Sequence, residues 1–125
     1  METAQTAQEA RLLENANAVL ALLGEGKFME AMNEYLADDV KLYEGNNPAK
    51  EGKAFCLAEE QKLLDTVTAF HGYKVLSGPA VKGDTTFYEA VMEFRTNDGT
   101  EHKFEQVVRT VWKDDKIINE RYYHA

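Results

Sequence analysis

The sequence predicts an α+β fold in which helices pack on one face of a mainly antiparallel sheet. Apolar residues recur at helical spacing early in the chain, whereas long alternating segments follow one another from residue 67 onward. The late segments are joined by turn sequences, Asn97-Asp98-Gly99 and Asp114-Asp115, whose residues accept left-handed backbone angles at little cost. Helices grouped before strands that form hairpins are typical of α+β domains.

Length and composition predict a single domain over residues 1–125, long enough to bury a core. The net charge of −8 disfavours nucleic-acid binding, because an acidic protein repels phosphate backbones. No apolar run is long enough to span a bilayer, and residues 1–10 lack the plan of a signal peptide. We therefore expect a cytoplasmic protein with neither a membrane nor a nucleic-acid partner.

The cysteine and histidine content gives no metal pattern. Cys56 is the only cysteine, so an internal disulfide and a cysteine-based zinc cluster are both excluded. His71, His102 and His124 stand far apart and lack the i, i+4 spacing of a helical metal site. We expect neither a metal ion nor another cofactor.

Two helices are predicted before residue 37. Thr6 and Glu9 form a capping-box pattern at the start of the first, and apolar residues from 12 to 23 then recur at helical spacing. Gly24 and Gly26 end this helix. A shorter helix follows at Lys27–Leu36.

The middle of the chain predicts a strand, a loop, a helix and an interrupted strand. Alternation over Val40–Glu44 indicates the strand, and Gly45–Pro48 is a cluster of loop-forming residues. The helix is predicted from Glu51 to about Thr66. Its core-facing residues are predicted to be Ala54, Leu57, Ala58, Gln61 and Leu64. The segment Val67–Lys82 is extended, with bends or bulges expected at its glycines.

The two hairpins predict which sheet face is buried. Pairing Thr96 with Thr100 places Arg95 opposite Glu101, and pairing Lys113 with Lys116 places Arg109 opposite Glu120. With this register one face carries eight charged side chains, while the other carries only Arg121. Because burying unpaired ions costs several kcal/mol each, the face with Arg121 is predicted to turn toward the helices.

The inward face supplies the candidate binding residues. Its polar members are Gln106, Thr110, Asn119 and Arg121, on two neighbouring strands. These groups fit either a satisfied hydrogen-bond network in the core or a cavity with few convergent polar groups. The apolar and aromatic residues that we assign to the same cavity are Tyr35, Tyr88, Met92, Phe104, Trp112 and Tyr123.

The opposite, charged face carries an apolar strip of Val91, Val107, Val111, Ile118 and Tyr122. Such a strip predicts a homodimer formed through the sheet, with the Arg109–Glu120 pair in or beside the contact. The alternative is a convex face exposed to water.

Four local motifs, in order and at family-like spacing, resemble the nuclear transport factor 2-like superfamily and, within it, the SnoaL-like (polyketide-cyclase-like) domains. The motifs are Gly26-Lys27-Phe28, Tyr35-Leu36-Ala37-Asp38-Asp39-Val40, Glu51-Gly52-Lys53-Ala54 and Asp115-Lys116-Ile117-Ile118. The resemblance covers nearly the whole chain. It implies a cone-shaped α+β barrel of order ααβαββββ, a pocket between helices and sheet, and frequent homodimers.

The resemblance also allows a comparison of catalytic positions. The general-base carboxylate of ketosteroid isomerases corresponds to Glu44, but valines, Val19 and Val108, occupy the two hydrogen-bond donor positions. That reaction needs both donors, so the resemblance argues against it. The acid that polyketide cyclases carry on the last strand corresponds to Tyr122. The Asp-Arg-Asp arrangement of epoxide hydrolases is matched only by Arg109 and Glu120, which the predicted register turns outward.

Three functions stay open from the sequence. The first is an enzyme that carries out proton transfer, cyclisation or hydration on a small apolar substrate, with Glu44 as base and Arg121 as its partner or as a polarising group. The alternative for Glu44 is a strand-end carboxylate in water. The second function is a domain that binds a small apolar ligand without chemistry, and the third is an interaction module.

Overall fold

The computed structural model describes residues 5–124. Three helices and six strands follow one another in the predicted order, with one short strand added before the third helix. The elements are α1 (Ala7–Gly24), α2 (Phe28–Tyr35), β1 (Leu36–Glu44), β2 (Lys50–Glu51), α3 (Lys53–Thr66), β3 (Val67–Lys82), β4 (Thr85–Thr96), β5 (Glu101–Lys113) and β6 (Lys116–His124).

The six strands form one sheet of order β2-β1-β6-β5-β4-β3. All neighbours pair antiparallel except β1 and β6, which are parallel; the long segment between them in sequence provides the crossover that parallel strands need. The helices pack on the concave face of this curved sheet. The predicted α+β cone is confirmed, although the sheet stays open at its β2 and β3 edges.

Helix α1 begins as predicted and supplies much of the core. The Thr6 hydroxyl accepts a hydrogen bond from the Glu9 backbone, and the Glu9 carboxylate accepts one from the Thr6 backbone. These bonds satisfy donors that a helix start leaves unpaired. Leu12, Ala16 and Leu20 are buried one or two turns apart along the helix, so its buried stripe follows the 3.6-residue period.

The predicted inner face of α3 was wrong at three of its five residues, while Leu57 and Leu64 are partly buried. Ala54, Ala58 and Gln61 are exposed, and Cys56 is the residue that α3 buries. The inner face turns Cys56, Glu59, Glu60 and Leu63 toward a hollow rather than toward a solid core. Because Glu59 and Glu60 line that hollow, the inner side of this helix is not uniformly apolar, and the period of its apolar residues does not predict which side faces inward.

The first predicted hairpin register is confirmed, with Arg95 opposite Glu101. The second begins as predicted, with Lys113 opposite Lys116 and left-handed backbone at Asp114 and Asp115. It then departs from the prediction. Trp112 pairs with Ile117, but Val111 pairs with Asn119, so Ile118 is an extra residue in β6.

This β-bulge inverts the faces of the rest of β6, because side chains alternate with a period of two residues. Thr110, not Arg109, lies opposite Glu120, and Arg109 lies opposite Arg121. The predicted Arg109–Glu120 pair was therefore wrong. Glu120 is 8% exposed and faces the helices, as does Tyr122.

The core has two parts. One surrounds Trp112, whose indole nitrogen donates a 2.9 Å hydrogen bond to the buried Thr86 hydroxyl. The other joins Leu20 of α1 to Ala90 and Val108 of the sheet. Within residues 5–124, helices capable of crossing a membrane are absent, by length and by hydropathy.

Candidate functional site

A cavity of about 340 Å³ lies between the helices and the concave face of the sheet. Its apolar lining consists of Val19, Leu23, Phe28, Ala31, Met32, Leu36, Leu42, Cys56, Leu63, Met92, Phe104 and Ile117. Its polar lining consists of Glu44, Lys50, Glu59, Glu60, Tyr73, Tyr88, Gln106, Glu120, Tyr122 and His124. An apolar body with few polar groups is the usual form of a small-molecule site.

Glu120 is the buried carboxylate of this cavity. Its Oε2 accepts a 2.5 Å hydrogen bond from the Thr110 hydroxyl, and its Oε1 accepts one from the Tyr122 hydroxyl. Burial raises the pKa of Glu120 above its ordinary value, because the ion is less stable away from water; the two hydrogen bonds oppose that rise, and the Glu44 charge adds to it. A carboxyl group in this setting can hold or release a proton nearer to neutral pH than one in water.

Tyr73 and Tyr88 form a second polar group in the cavity. The Tyr73 hydroxyl donates to the Tyr88 hydroxyl at 3.3 Å. Burial raises the pKa of both phenols, so both stay neutral and can donate. The two hydroxyls share one hydrogen bond, which leaves one phenol proton of the pair for a ligand oxygen. Gln106, also buried, lies next to Tyr73 and adds amide donors.

The mouth of the cavity is acidic and partly open to water. The Glu44 Oε2 lies 2.7 Å from the His124 Nε2, with 42% and 34% of the two side chains exposed. Burial raises the pKa of Glu60; the nearby Lys50 opposes this effect and Glu44 adds to it. Glu44 is thus a residue of the cavity rim. It both lines the cavity and contacts water, whereas the sequence left open which of the two it would do.

The structure brings five of the predicted site residues to the cavity. These are Glu44, Tyr88, Met92, Phe104 and Gln106. Thr110 faces inward and contacts the cavity through Glu120, to which it donates a hydrogen bond. Tyr35 and Trp112 pack edge to face, with ring centroids 6.1 Å apart, in the core below the cavity.

Asn119, Arg121 and Tyr123 lie on the opposite face of the sheet, so their predicted inward orientation was wrong. The cause is the bulge at Ile118, which moves each of them by one position of the strand alternation. The Arg121 guanidinium lies over the Tyr43 ring, 4.4 Å from its centroid. It cannot pair with Glu44 inside the cavity.

Sequence reasoning missed Glu120, Tyr122, Tyr73 and Glu60 as cavity residues. For Glu60, no sequence signal separated it from the exposed charges of α3. For Glu120 a weak signal existed: Ile117 and Ile118 are consecutive apolar residues at the start of a strand, and a strand that buries one face tolerates this best at a bulge.

The sequence matches no protein-family model, and no curated protein matches it significantly. Solved structures do match. The chain is 28% identical to a candidate SnoaL-like polyketide cyclase from Mesorhizobium loti, with a TM-score of 0.77 over 90% of this chain and 97% of that one.

Two further structures share the fold at lower identity. A candidate SnoaL-like polyketide cyclase from Jannaschia sp. CCS1 is 18% identical, with a TM-score of 0.78 over 98% of this chain and 91% of that one. An LEH-like epoxide hydrolase from M. tuberculosis is 14% identical, with a TM-score of 0.76 over 94% and 85%. Fold, cavity and these similarities agree: the chain has the fold of the SnoaL-like domains of the nuclear transport factor 2-like superfamily.

Proposed function

We propose that this domain binds a small, largely apolar carbonyl compound in its cavity and transfers a proton to or from it through Glu120. The observation that carries the proposal is the inward-facing Glu120 carboxyl, buried at the cavity wall and held by Thr110 and Tyr122. A general acid or base works best when its pKa approaches the working pH, and burial moves the pKa of Glu120 in that direction.

The tyrosine pair supports a carbonyl group as the reacting part of the ligand. Removing a proton beside a carbonyl places negative charge on its oxygen, and preorganised neutral donors stabilise that charge. The hydrogen-bonded pair of Tyr73 and Tyr88 has one phenol proton left to donate, and Gln106 lies next to Tyr73. Glu120 is close enough for its charge to raise the pKa of Tyr88, after the larger effect of burial.

In this proposal Glu120, rather than the Glu44 that the sequence suggested, is the general acid or base. Arg121 takes no part in the reaction. Glu44 and His124 at the mouth then have a different part, which is to connect the cavity with water and to exchange protons there. The similar folds named as polyketide cyclases and as an epoxide hydrolase support a cavity in which acid–base chemistry takes place.

The test uses the exchange of α-hydrogens for deuterium in 2-tetralone, a small apolar ketone, followed by NMR in D2O. We expect exchange catalysed by the wild-type protein and a loss of about 100-fold or more in Glu120→Gln, the usual contribution of general acid–base catalysis. Tyr122→Phe should alter the pH profile, whereas Tyr123→Phe, its neighbour on the outer face, should not. Equal rates for wild type and Glu120→Gln would overturn the assignment.

A second candidate function is binding of the same ligand class without chemistry. Both oxygens of Glu120 already accept hydrogen bonds within the protein, which favours a structural part for this carboxylate. In that case 2-tetralone binds with saturation in an NMR titration, and its α-hydrogens exchange no faster than in buffer. The exchange experiment therefore separates the two functions.

A further inference from the structure

The lining of the cavity carries more negative than positive charge. Its carboxylates come from β1, α3 and β6, and they are Glu44, Glu59, Glu60 and Glu120. Among the described residues of the lining, Lys50 is the only lysine or arginine. A recess lined by charges of one sign concentrates ions of the opposite sign. The cavity is therefore expected to favour a positively charged ligand over a negatively charged one.

Glu60 is a partly buried carboxylate of this lining, on α3. Among residues 5–124 no lysine, arginine or histidine forms a salt bridge with it. Burial raises its pKa, and the nearby Lys50 opposes that rise without cancelling it. Burying a carboxylate that lacks a partner is costly. A cationic group of a ligand beside Glu60 would reduce this cost.

Gln106 adds an uncharged acceptor to the same part of the cavity. It lines the cavity and is only 8% exposed. On the sheet it pairs with His124, whose Nε2 lies 2.7 Å from the Glu44 Oε2. Its amide lies next to the Tyr73 hydroxyl, to which an N–H can donate. The amide oxygen then has no donor within the described part of the chain, and an ammonium group is a donor that fits it.

An apolar wall continues from these polar groups. Leu63 lies one turn after Glu60 on α3, and Phe104 lies two residues before Gln106 on β5. Both line the cavity. The Phe104 ring centroid is 5.8 Å from that of His124, so an aromatic face lies near the mouth, where it also attracts cations. A ligand that combines an apolar ring with a positive charge matches this combination of groups.

We propose that the ligand of this cavity carries a protonated amine, which binds at the mouth between Glu44, Glu60 and the amide oxygen of Gln106. This inference rests on the proposed function, because it adds a cationic group to the apolar carbonyl compound bound in the same cavity. Hydrogen bonds from an ammonium group to carboxylates are charge-assisted and stronger than neutral ones. Within residues 5–124 no three histidine, cysteine, aspartate or glutamate side chains are grouped so as to hold a metal ion, which favours an organic cation.

The test compares two ligands of nearly the same shape and different charge. The first, 2-aminotetralin, is protonated at neutral pH, whereas 2-tetralol is uncharged. Their dissociation constants are measured by NMR titration of the protein. We expect 2-aminotetralin to bind about tenfold more tightly or better, since its hydrogen bonds are made by a charged group. High salt should reduce this preference, because it screens the charges at the partly open mouth.

Two variants locate the amine. Glu60→Gln and Gln106→Leu should each reduce the preference, taken as the ratio of the two dissociation constants, by about threefold or more. Asp65→Asn removes a carboxylate from the exposed side of the same helix and should leave the ratio unchanged. Comparing a ratio within each variant cancels any general loss of binding that the substitution causes.

The outcomes separate this inference from the proposed proton transfer. Equal affinities for the two ligands, in a protein that binds 2-tetralone, would overturn this inference alone. A preference that persists in both Glu60→Gln and Gln106→Leu would also overturn it, because the amine then lies elsewhere. Equal deuterium exchange in wild type and Glu120→Gln, with the preference intact, would overturn only the proton transfer. If none of the three compounds binds, both proposals are wrong.

Discussion

At the scale of single residues, Glu120 decides the chemical character of the cavity. Its two hydrogen bonds favour the ionised form, and its burial favours the protonated form; burial is the stronger effect, so the pKa rises. Tyr122 and Thr110 therefore do more than fix the position of the carboxyl group, because they limit how far its pKa can move. The same balance has a consequence for stability that is independent of any ligand.

The Glu120→Gln substitution should change how stability depends on pH. A pKa that is higher in the folded protein than its ordinary value of 4.5 means that folding favours the protonated form. The associated stabilisation is complete below that value and is lost as the pH rises through the folded-state pKa. Wild type should therefore lose stability relative to Glu120→Gln across this range, by at most about 1.4 kcal/mol per pH unit.

Urea unfolding at intervals between pH 4 and pH 8 measures this difference. Glu14→Gln is the control, because Glu14 is exposed on α1. Its free energy of unfolding should stay parallel to that of the wild type. A Glu120→Gln variant that also runs parallel to the wild type would contradict the raised pKa.

At the scale of secondary-structure elements, a β-bulge in β6 and a register shift in β3 determine which side chains reach the cavity. The bulge at Ile118 turns Glu120 and Tyr122 inward, and a register shift beside Gly78 lets β3 pass close to Tyr88 on β4. Gly78 has a φ of +87°, and a Cβ placed on it would lie 2.8 Å from the Phe87 carbonyl oxygen. Only glycine fits both the backbone angle and the space.

We expect Gly78→Ala to destabilise the domain more than Gly83→Ala. Gly83 also has a positive φ, of +63°, but nothing lies within 4 Å of a Cβ added there. The Gly83 variant should lose about 1 kcal/mol from the left-handed backbone alone. The Gly78 variant should lose a further 1–3 kcal/mol or so from the steric clash. Thermal and urea unfolding of the two variants give the comparison, and equal losses would show that the close approach is not constraining.

At the scale of the whole molecule, the two faces of one sheet have different surroundings. The concave face, with the three helices over it, encloses the cavity, whereas the convex face has no helix packed on it within residues 5–124. Adjacent residues of β6 belong to different faces: Glu120 lies at the cavity, and Arg121 lies on the outer face over the Tyr43 ring. A change of strand register would exchange them.

Filling the cavity should separate ligand binding from folding. Val19 of α1 lines the cavity and is only partly buried, so Val19→Phe can extend into the hollow without displacing packed side chains. The affinity for 2-tetralone should fall about tenfold or more, while the melting temperature stays the same or rises. Ala58→Phe, on the exposed side of α3, adds the same ring outside the cavity and should leave the affinity unchanged. Unaltered binding in Val19→Phe would place the ligand elsewhere.

The sequence by itself determined the order of the elements, the capping box at Thr6, both hairpin turns and the first hairpin register. Each of these depends on residues near one another in the chain, or on the alternation of one uninterrupted strand. Four of the predicted site residues on the concave face, Tyr88, Met92, Phe104 and Gln106, followed from the same alternation, whereas Glu44 followed from the family resemblance.

Only the tertiary structure decided which residues of β6 face the helices. A bulge costs little in local energy, and its position is set by what packs on each side of the sheet. Here α1 and α2 cover the core around Trp112, and Ile117 fills it, which leaves Ile118 as the unpaired residue. That packing is why Glu120 faces the cavity where the sequence predicted Arg121, because a shift of one residue reverses the face of every later side chain of the strand.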